Sequence, residues 1–260
     1  MPSITYQSYL NIDKLLTLQQ LQSSPEEHDE TLFIIIHQTY ELWFKQILHE
    51  LNKLMADLSA EHTWGAAKTM RRVLTILKTC VSQIDILETM TPLEFNSFRA
   101  FLGQSSGFQS YQFRELEIRC GLRHPHLMVA YQNEPSIQAH LEQCMTEPTL
   151  WESFCAYLAK KGTRIACERT TEQPFLFTPS LENQQKLIEV MRSEPESAML
   201  AELFIDFDEG LQEWRYRHVK MVQRTIGTKK GTGGSDGAGY LMRTINQPIF
   251  PDLWEMRTLF

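Results

Sequence analysis

Apolar residues recur at intervals of three and four along almost the whole chain, and the strict alternation of a half-buried strand is scarce. The pattern predicts an all-α fold, a helical bundle of about eight to twelve helices with no sheet of consequence. A short helix is expected over 11–22, a long one over 27–58 carrying LFIIIHQTYELWFKQILHEL, and a third over 66–90. Thr91 and Glu94 form a capping-box pattern around Pro92, and Gly103 offers a left-handed stop, which frames a short helix over 92–102. Further helices are predicted over 109–120, 135–145 and 149–161, the first and last halted by Gly121 and Gly162. Residues 163–180, with Pro174 and Pro179, read as a connecting loop. A second capping pattern, Ser193 to Glu196 around Pro195, opens a long helix that stops at Gly227. Six of the twelve glycines then fall in GTKKGTGGSDGAG, a loop whose backbone can approach something closely.

With 260 residues, 42% of them hydrophobic, the chain can bury a substantial core. No internal repeat or interdomain linker divides it, so 1–260 is expected to form a single domain. A formal charge of −7 gives no basic field, which argues against nucleic acid or an anionic membrane surface as partner. No run of eighteen apolar residues and no leader-like N-terminus is present, so neither export nor a membrane span is expected. Five cysteines without a CxxC spacing suit neither a disulfide framework nor a zinc site and point to a reducing cytoplasm.

Two histidines sit in the middle of apolar helix faces. His218 shares its face with Phe204, Phe207, Leu211, Trp214, Met221 and Val222, and His37 shares its own with Phe33, Tyr40 and Phe44. A buried imidazole needs a partner or a metal, so each reads either as a core histidine bonded to a carbonyl or as a ligand. For His218 the sharper reading is an axial haem ligand, which requires a neutral imidazole in a dry, aromatic-lined cleft. HQTYE lacks the HExxH arrangement, which disfavours zinc there. Arg99 falls on the apolar side of its short helix, four residues after Phe95, and calls for an internal carboxylate or a ligand's. The glycine loop, with Thr232 and Ser235, suits an anionic or zwitterionic group or else a plain surface turn; it contains neither GxGxxG nor GxxxxGK[ST]. Arg215, Arg217, Lys220, Arg224, Lys229 and Lys230 read as a solvated cationic face near a helix end, one or two of them available to haem propionates.

Three long blocks, HDETLFIIIHQTYELWFKQILHEL, LETMTPLEFNSFRAFLGQSSGFQSYQFRELE and WRYRHVKMVQRTIGTKKGTGGSDGAGYL, carry a resemblance to the tryptophan 2,3-dioxygenase family, which extends from TYQSYL to PDLWEMRT. The resemblance implies an all-helical enzyme that binds haem b and cleaves the C2–C3 bond of the L-tryptophan indole ring with O2, giving N-formyl-L-kynurenine. It implies that His218 is the iron's axial ligand and that His37 bonds the indole N–H. Phe33 and Leu102 would line the substrate pocket, Arg99 would grip the carboxylate, and Thr232 would hold the ammonium and carboxylate. Phe95 stands where some members carry a tyrosine. Ser106 and Gly107 would lie near the haem edge and dioxygen. Tyr6 and Tyr9, within an N-terminal segment 1–22, resemble residues that reach a neighbouring subunit's site, which implies a homotetramer with exchanged N-terminal segments. Two further readings stay open: a haem monooxygenase that adds one oxygen atom to an indole, and a helical haem-binding protein without turnover.

Overall fold

The apolar stripes become helices laid side by side. The computed structural model describes residues 3–103, 105–171, 176–229, 238–242 and 244–260. Its centre is built from three long helices: α3 (His28–Ser59), α4 (Thr63–Leu87) and α10 (Pro195–Ile226). Helix α4 packs along both of the others. They are preceded by α1 (Tyr6–Leu10) and α2 (Ile12–Leu15). Between α4 and α10 come α5 (Pro92–Arg99), α6 (Tyr111–Arg119), α7 (Pro135–Thr146), α8 (Leu150–Lys160) and α9 (Leu181–Ser193), and the chain closes with α11 (Ala238–Met242) and α12 (Pro251–Glu255). Among the described residues there is no strand, only an isolated bridge between Arg169 and Phe177 in the expected 163–180 loop. The all-α expectation holds.

The main core gathers Leu51, Leu54 and Leu58 of α3, Met70 and Val73 of α4 and Phe204 of α10, all fully buried. Trp151 and Phe154 of α8 close it from one side. A smaller cluster stands apart at the other end of α3, where Ile36, Leu87 and Met90 meet Phe95 and Phe98 of α5. This division leaves room between the two clusters for a cavity.

Capping chemistry explains the boundaries that were legible. Thr91 accepts from the Glu94 N–H and the Glu94 carboxylate accepts from the Thr91 N–H, with Pro92 at the first helical position. A 3₁₀ turn, Ala100–Leu102, continues α5 to Gly103, which takes φ 56. Gly227 ends α10 with φ 63, where a side chain would be strained.

Three expectations are corrected. The helix expected over 11–22 is only Ile12–Leu15, which Asn11, at φ 52, separates from a preceding short helix, Tyr6–Leu10, and the chain leaves helical conformation after Leu15. Residues 181–193, left without an element, form α9, capped by Ser180. The Ser193–Glu196 capping box does not form. Helix α9 continues through Ser193, whose hydroxyl donates to the Glu189 carbonyl at 2.7 Å, so Glu194 becomes the residue that opens α10.

Buried carboxylates fasten the C-terminal segment to this frame. One oxygen of Asp208, itself fully buried, accepts from the N–H groups of Ile249 (2.7 Å) and Phe250 (3.0 Å) and from Trp254 Nε1 (2.9 Å). Asp252 likewise accepts from the Ser180 N–H at 2.7 Å and Asn183 Nδ2 at 2.9 Å, tying α12 to α9. Removing such an acceptor strands several buried donors at once. Asp208→Ala should lower the unfolding free energy by about 3 kcal/mol or more, read from urea denaturation; a loss below about 1 kcal/mol would contradict the clasp.

Candidate functional site

The gap between the two apolar clusters is a cavity of about 260 Å³. Helix α3 presents Phe33, His37, Tyr40 and Phe44 to it, and α10 presents Trp214, Arg215, His218 and Met221. Phe95 and Arg99 of α5, Ser106 and Gly107 of the following loop, and Phe113, Arg114 and Glu117 of α6 complete the wall. The helical period brings each set to one side, since residues three and four apart share a face.

His218 is the most exceptional of these groups. Its ring stacks on Trp214, one turn earlier, with centroids 5.0 Å apart and planes 18° from parallel. Neither ring nitrogen takes part in a hydrogen bond among the described residues. Burial, with a smaller contribution from the charge of His37 across the cavity, pushes its pKa down to about 4. The ring surface that remains accessible opens into the cavity it lines. A neutral imidazole with free nitrogens in an apolar chamber is a metal ligand in chemical type.

His37 is arranged differently. Its Nδ1 lies 2.7 Å from the Phe33 carbonyl oxygen, which can only accept, so that nitrogen carries the proton. Burial lowers its pKa, against smaller raising effects from that bond and from Glu41, and so favours the neutral ring. Nε2 is therefore a bare acceptor on the cavity side. Phe33 meets the imidazole with centroids 4.1 Å apart and planes tilted by 41°, and it meets Phe95 at 5.7 Å and Phe98 at 5.6 Å, which makes one aromatic wall.

The charged groups of the wall are a mixed set. Arg114 pairs with Glu117 on α6, a buried ion pair that the sequence reading did not single out although its i, i+3 spacing was visible. Arg215 corrects the expected solvated face: it is 4% exposed, its Nη1 donates to the carbonyls of Thr244 (3.2 Å) and Gln247 (3.1 Å), and its Nη2 is buried without a hydrogen-bond partner among the described residues. Arg217 and Arg224 are not free cations either, since Arg217 pairs with Asp85 at 2.6 Å and both reach Glu88 on α4.

The cavity brings together Phe33, His37, Phe95, Arg99, Ser106, Gly107 and His218. Leu102 packs against the small cluster that contains Phe95 and does not line the cavity. Tyr6 and Tyr9 are 74% and 72% exposed and do not line the cavity of their own chain. Thr232 and Ser235, with most of the glycine loop, lie outside the described residues. An iron porphyrin requires of a protein one free imidazole, apolar walls and a donor for its carboxylates, and His218, Trp214 with Phe113, and Arg215 Nη2 match those three needs.

Fold and cavity together define an all-helical protein with a buried aromatic chamber faced by two neutral histidines. The tryptophan 2,3-dioxygenase family model matches residues 1–161 and 157–260. A tryptophan 2,3-dioxygenase of Herpetosiphon aurantiacus is 54% identical over 258 residues, covering 98% of each chain. One from Anaeromyxobacter dehalogenans is 49% identical, covering 98% of this chain and 96% of its own, and one from Bacillus anthracis is 40% identical over 98% and 92%. The chain belongs to the tryptophan 2,3-dioxygenase family.

The neutral state of His218 has a consequence for stability. The unfolded imidazole takes a proton near 6.5 and the folded one only near 4, so the unfolded state binds more protons between those values. Stability of the haem-free protein should therefore be full above about pH 6.5 and fall as pH drops toward about 4. Thermal melts across that range should show a shallower decline for His218→Leu; an identical slope would contradict the assignment.

Proposed function

We propose that this protein binds haem b through His218 and opens the C2–C3 bond of the indole ring of L-tryptophan with O2, giving N-formyl-L-kynurenine. The observation that carries this reading is the pair of imidazoles facing one apolar cavity, one without a hydrogen-bond partner among the described residues and one with its tautomer fixed. The tryptophan 2,3-dioxygenase names of the relatives agree with it. Bound haem would supply the activation of dioxygen, which no side chain offers. Arg215 Nη2 is the donor best suited to a propionate.

The protein's own part is orientation. His37 Nε2, an acceptor because Nδ1–H is spent on the Phe33 carbonyl, receives the indole N–H. Phe33 and Phe95 flank the ring, with Leu102 packed against the cluster that contains Phe95. Arg99 grips the substrate carboxylate through its planar fork, and Thr232 of the glycine loop holds the charged end of the amino acid alongside it. Fixing both ends of the substrate sets the indole C2 and C3 against dioxygen beside Ser106 and Gly107, and the aromatic walls exclude water. Exposed Tyr6 and Tyr9 serve a neighbouring copy, in a homotetramer with exchanged N-terminal segments.

The whole chain acts as one domain, because the cavity draws its walls from residues as far apart as Phe33 and Thr244. A cytoplasmic setting suits the five free thiols, and among the described residues no helix is long and apolar enough to cross a membrane.

With isotopically labelled dioxygen and L-tryptophan, the ferrous protein should release a product bearing two labelled atoms; a product with one would establish monooxygenation in its place. His37→Ala should slow turnover without abolishing it, since the residue orients and does not have to move a proton. Complete loss with haem and substrate still bound would contradict that role. Arg99→Lys, which keeps the charge but loses the fork, should raise KM by about tenfold or more; an unchanged KM would remove Arg99 from carboxylate recognition.

A further inference from the structure

A second cluster of ligating side chains lies where α6 meets α7. His140 and Cys144 stand four residues apart on one face of α7, and Glu115 of α6 faces them. Glu115 Oε2 lies 2.7 Å from His140 Nε2, and that same nitrogen lies 3.8 Å from Cys144 Sγ. All three donor atoms fall within 4.8 Å of one another. Tetrahedral zinc, with bonds of about 2.0–2.3 Å, holds its donor atoms roughly 3.3–3.8 Å apart. The imidazole–thiol separation already has that value, and the imidazole–carboxylate pair needs to open by only about half an ångström.

We propose that Glu115, His140 and Cys144 form a binding site for a borderline-soft divalent cation of the zinc type, separate from the haem-type cavity. Thiol, imidazole and carboxylate on one point select such an ion over magnesium or calcium, which prefer all-oxygen shells. Burial gives the site its walls, with Glu115 8% and Cys144 2% exposed, while the half-exposed imidazole leaves an entry path and a fourth position for water. Binding replaces the Cys144 thiol proton, which is released to solvent. Arg119 does not fill the position. Its Nη1 pairs with Glu147, while its Nε lies 3.5 Å from Glu115 Oε1 and its Nη2 3.8 Å from Cys144 Sγ, so it flanks the donors and can support a metal-bound carboxylate and thiolate from outside.

The absence of CxxC and HExxH set zinc aside in the sequence, and that reasoning misses this cluster because its third donor comes from another helix, 25 residues before His140. The ion would brace α6, whose Arg114 and Glu117 line the cavity, against α7.

The test is equilibrium dialysis of the metal-stripped, haem-loaded protein against zinc chloride, with zinc counted by elemental analysis and the zinc K-edge absorption recorded. One zinc per chain with one sulfur neighbour at about 2.3 Å is expected, together with release of one proton per ion. His140→Ala, a change at an exposed side chain that leaves the fold intact, and Cys144→Ser should each weaken uptake at least tenfold with haem content unchanged. No uptake, a shell without sulfur, or uptake indifferent to His140→Ala would overturn the proposal, the last two marking scattered surface histidines as the binders.

Discussion

The whole arrangement depends on keeping two imidazoles uncharged in one apolar chamber. A histidine buried without a hydrogen bond costs free energy, on the order of 1–3 kcal/mol, that the rest of the fold must outweigh. His37 avoids that cost by bonding its own helix at the Phe33 carbonyl. His218 does not, and its stacking on Trp214 holds the ring in place while neither nitrogen is hydrogen-bonded among the described residues. Such a group persists only where neighbouring structure fixes the helix that bears it.

That fixing is distributed along α10. On its N-terminal side Phe204 and Phe207 sit in the main core, and Asp208 clasps the segment from Ile249 to Trp254. On either side of His218 the helix is tied to α4 by Arg217 and Arg224, which both pair with Glu88. Helix α3 is tied to α4 by the Tyr40 hydroxyl, which donates to the Cys80 carbonyl at 2.7 Å. The cavity is thus a space between rigid helices, and rigidity is what a site that works by orientation requires.

Much of this could be read from the residues. The 3.6-residue period gave the three long helices, and the Thr91 box gave the helix that carries Arg99, because those signals are local. His37 and His218 stood out as polar atoms on apolar faces, yet the periodicity that singled them out was equally compatible with satisfied core histidines. Only three-dimensional placement separates them, one bonded to a carbonyl and the other without a hydrogen bond among the described residues. Helix α9 was missed because it follows a proline-bearing loop and its polar residues outnumber its apolar ones. The burial of Arg215 was missed because its partners, the carbonyls of Thr244 and Gln247, come from chain folded back some thirty residues later. Leu102 shares the apolar side of its helix with Arg99 in the sequence pattern, but the chain tightens to a 3₁₀ turn after Arg99, and Leu102 packs against the small apolar cluster and not on the cavity wall.

The most direct test of the central claim removes the ring and offers it back. His218→Gly, titrated with haem in the absence and presence of free imidazole, should show a weak, altered haem spectrum alone and a substantially restored one with imidazole. A variant that takes up haem with the unaltered spectrum, indifferent to added imidazole, would mean that the iron is held elsewhere.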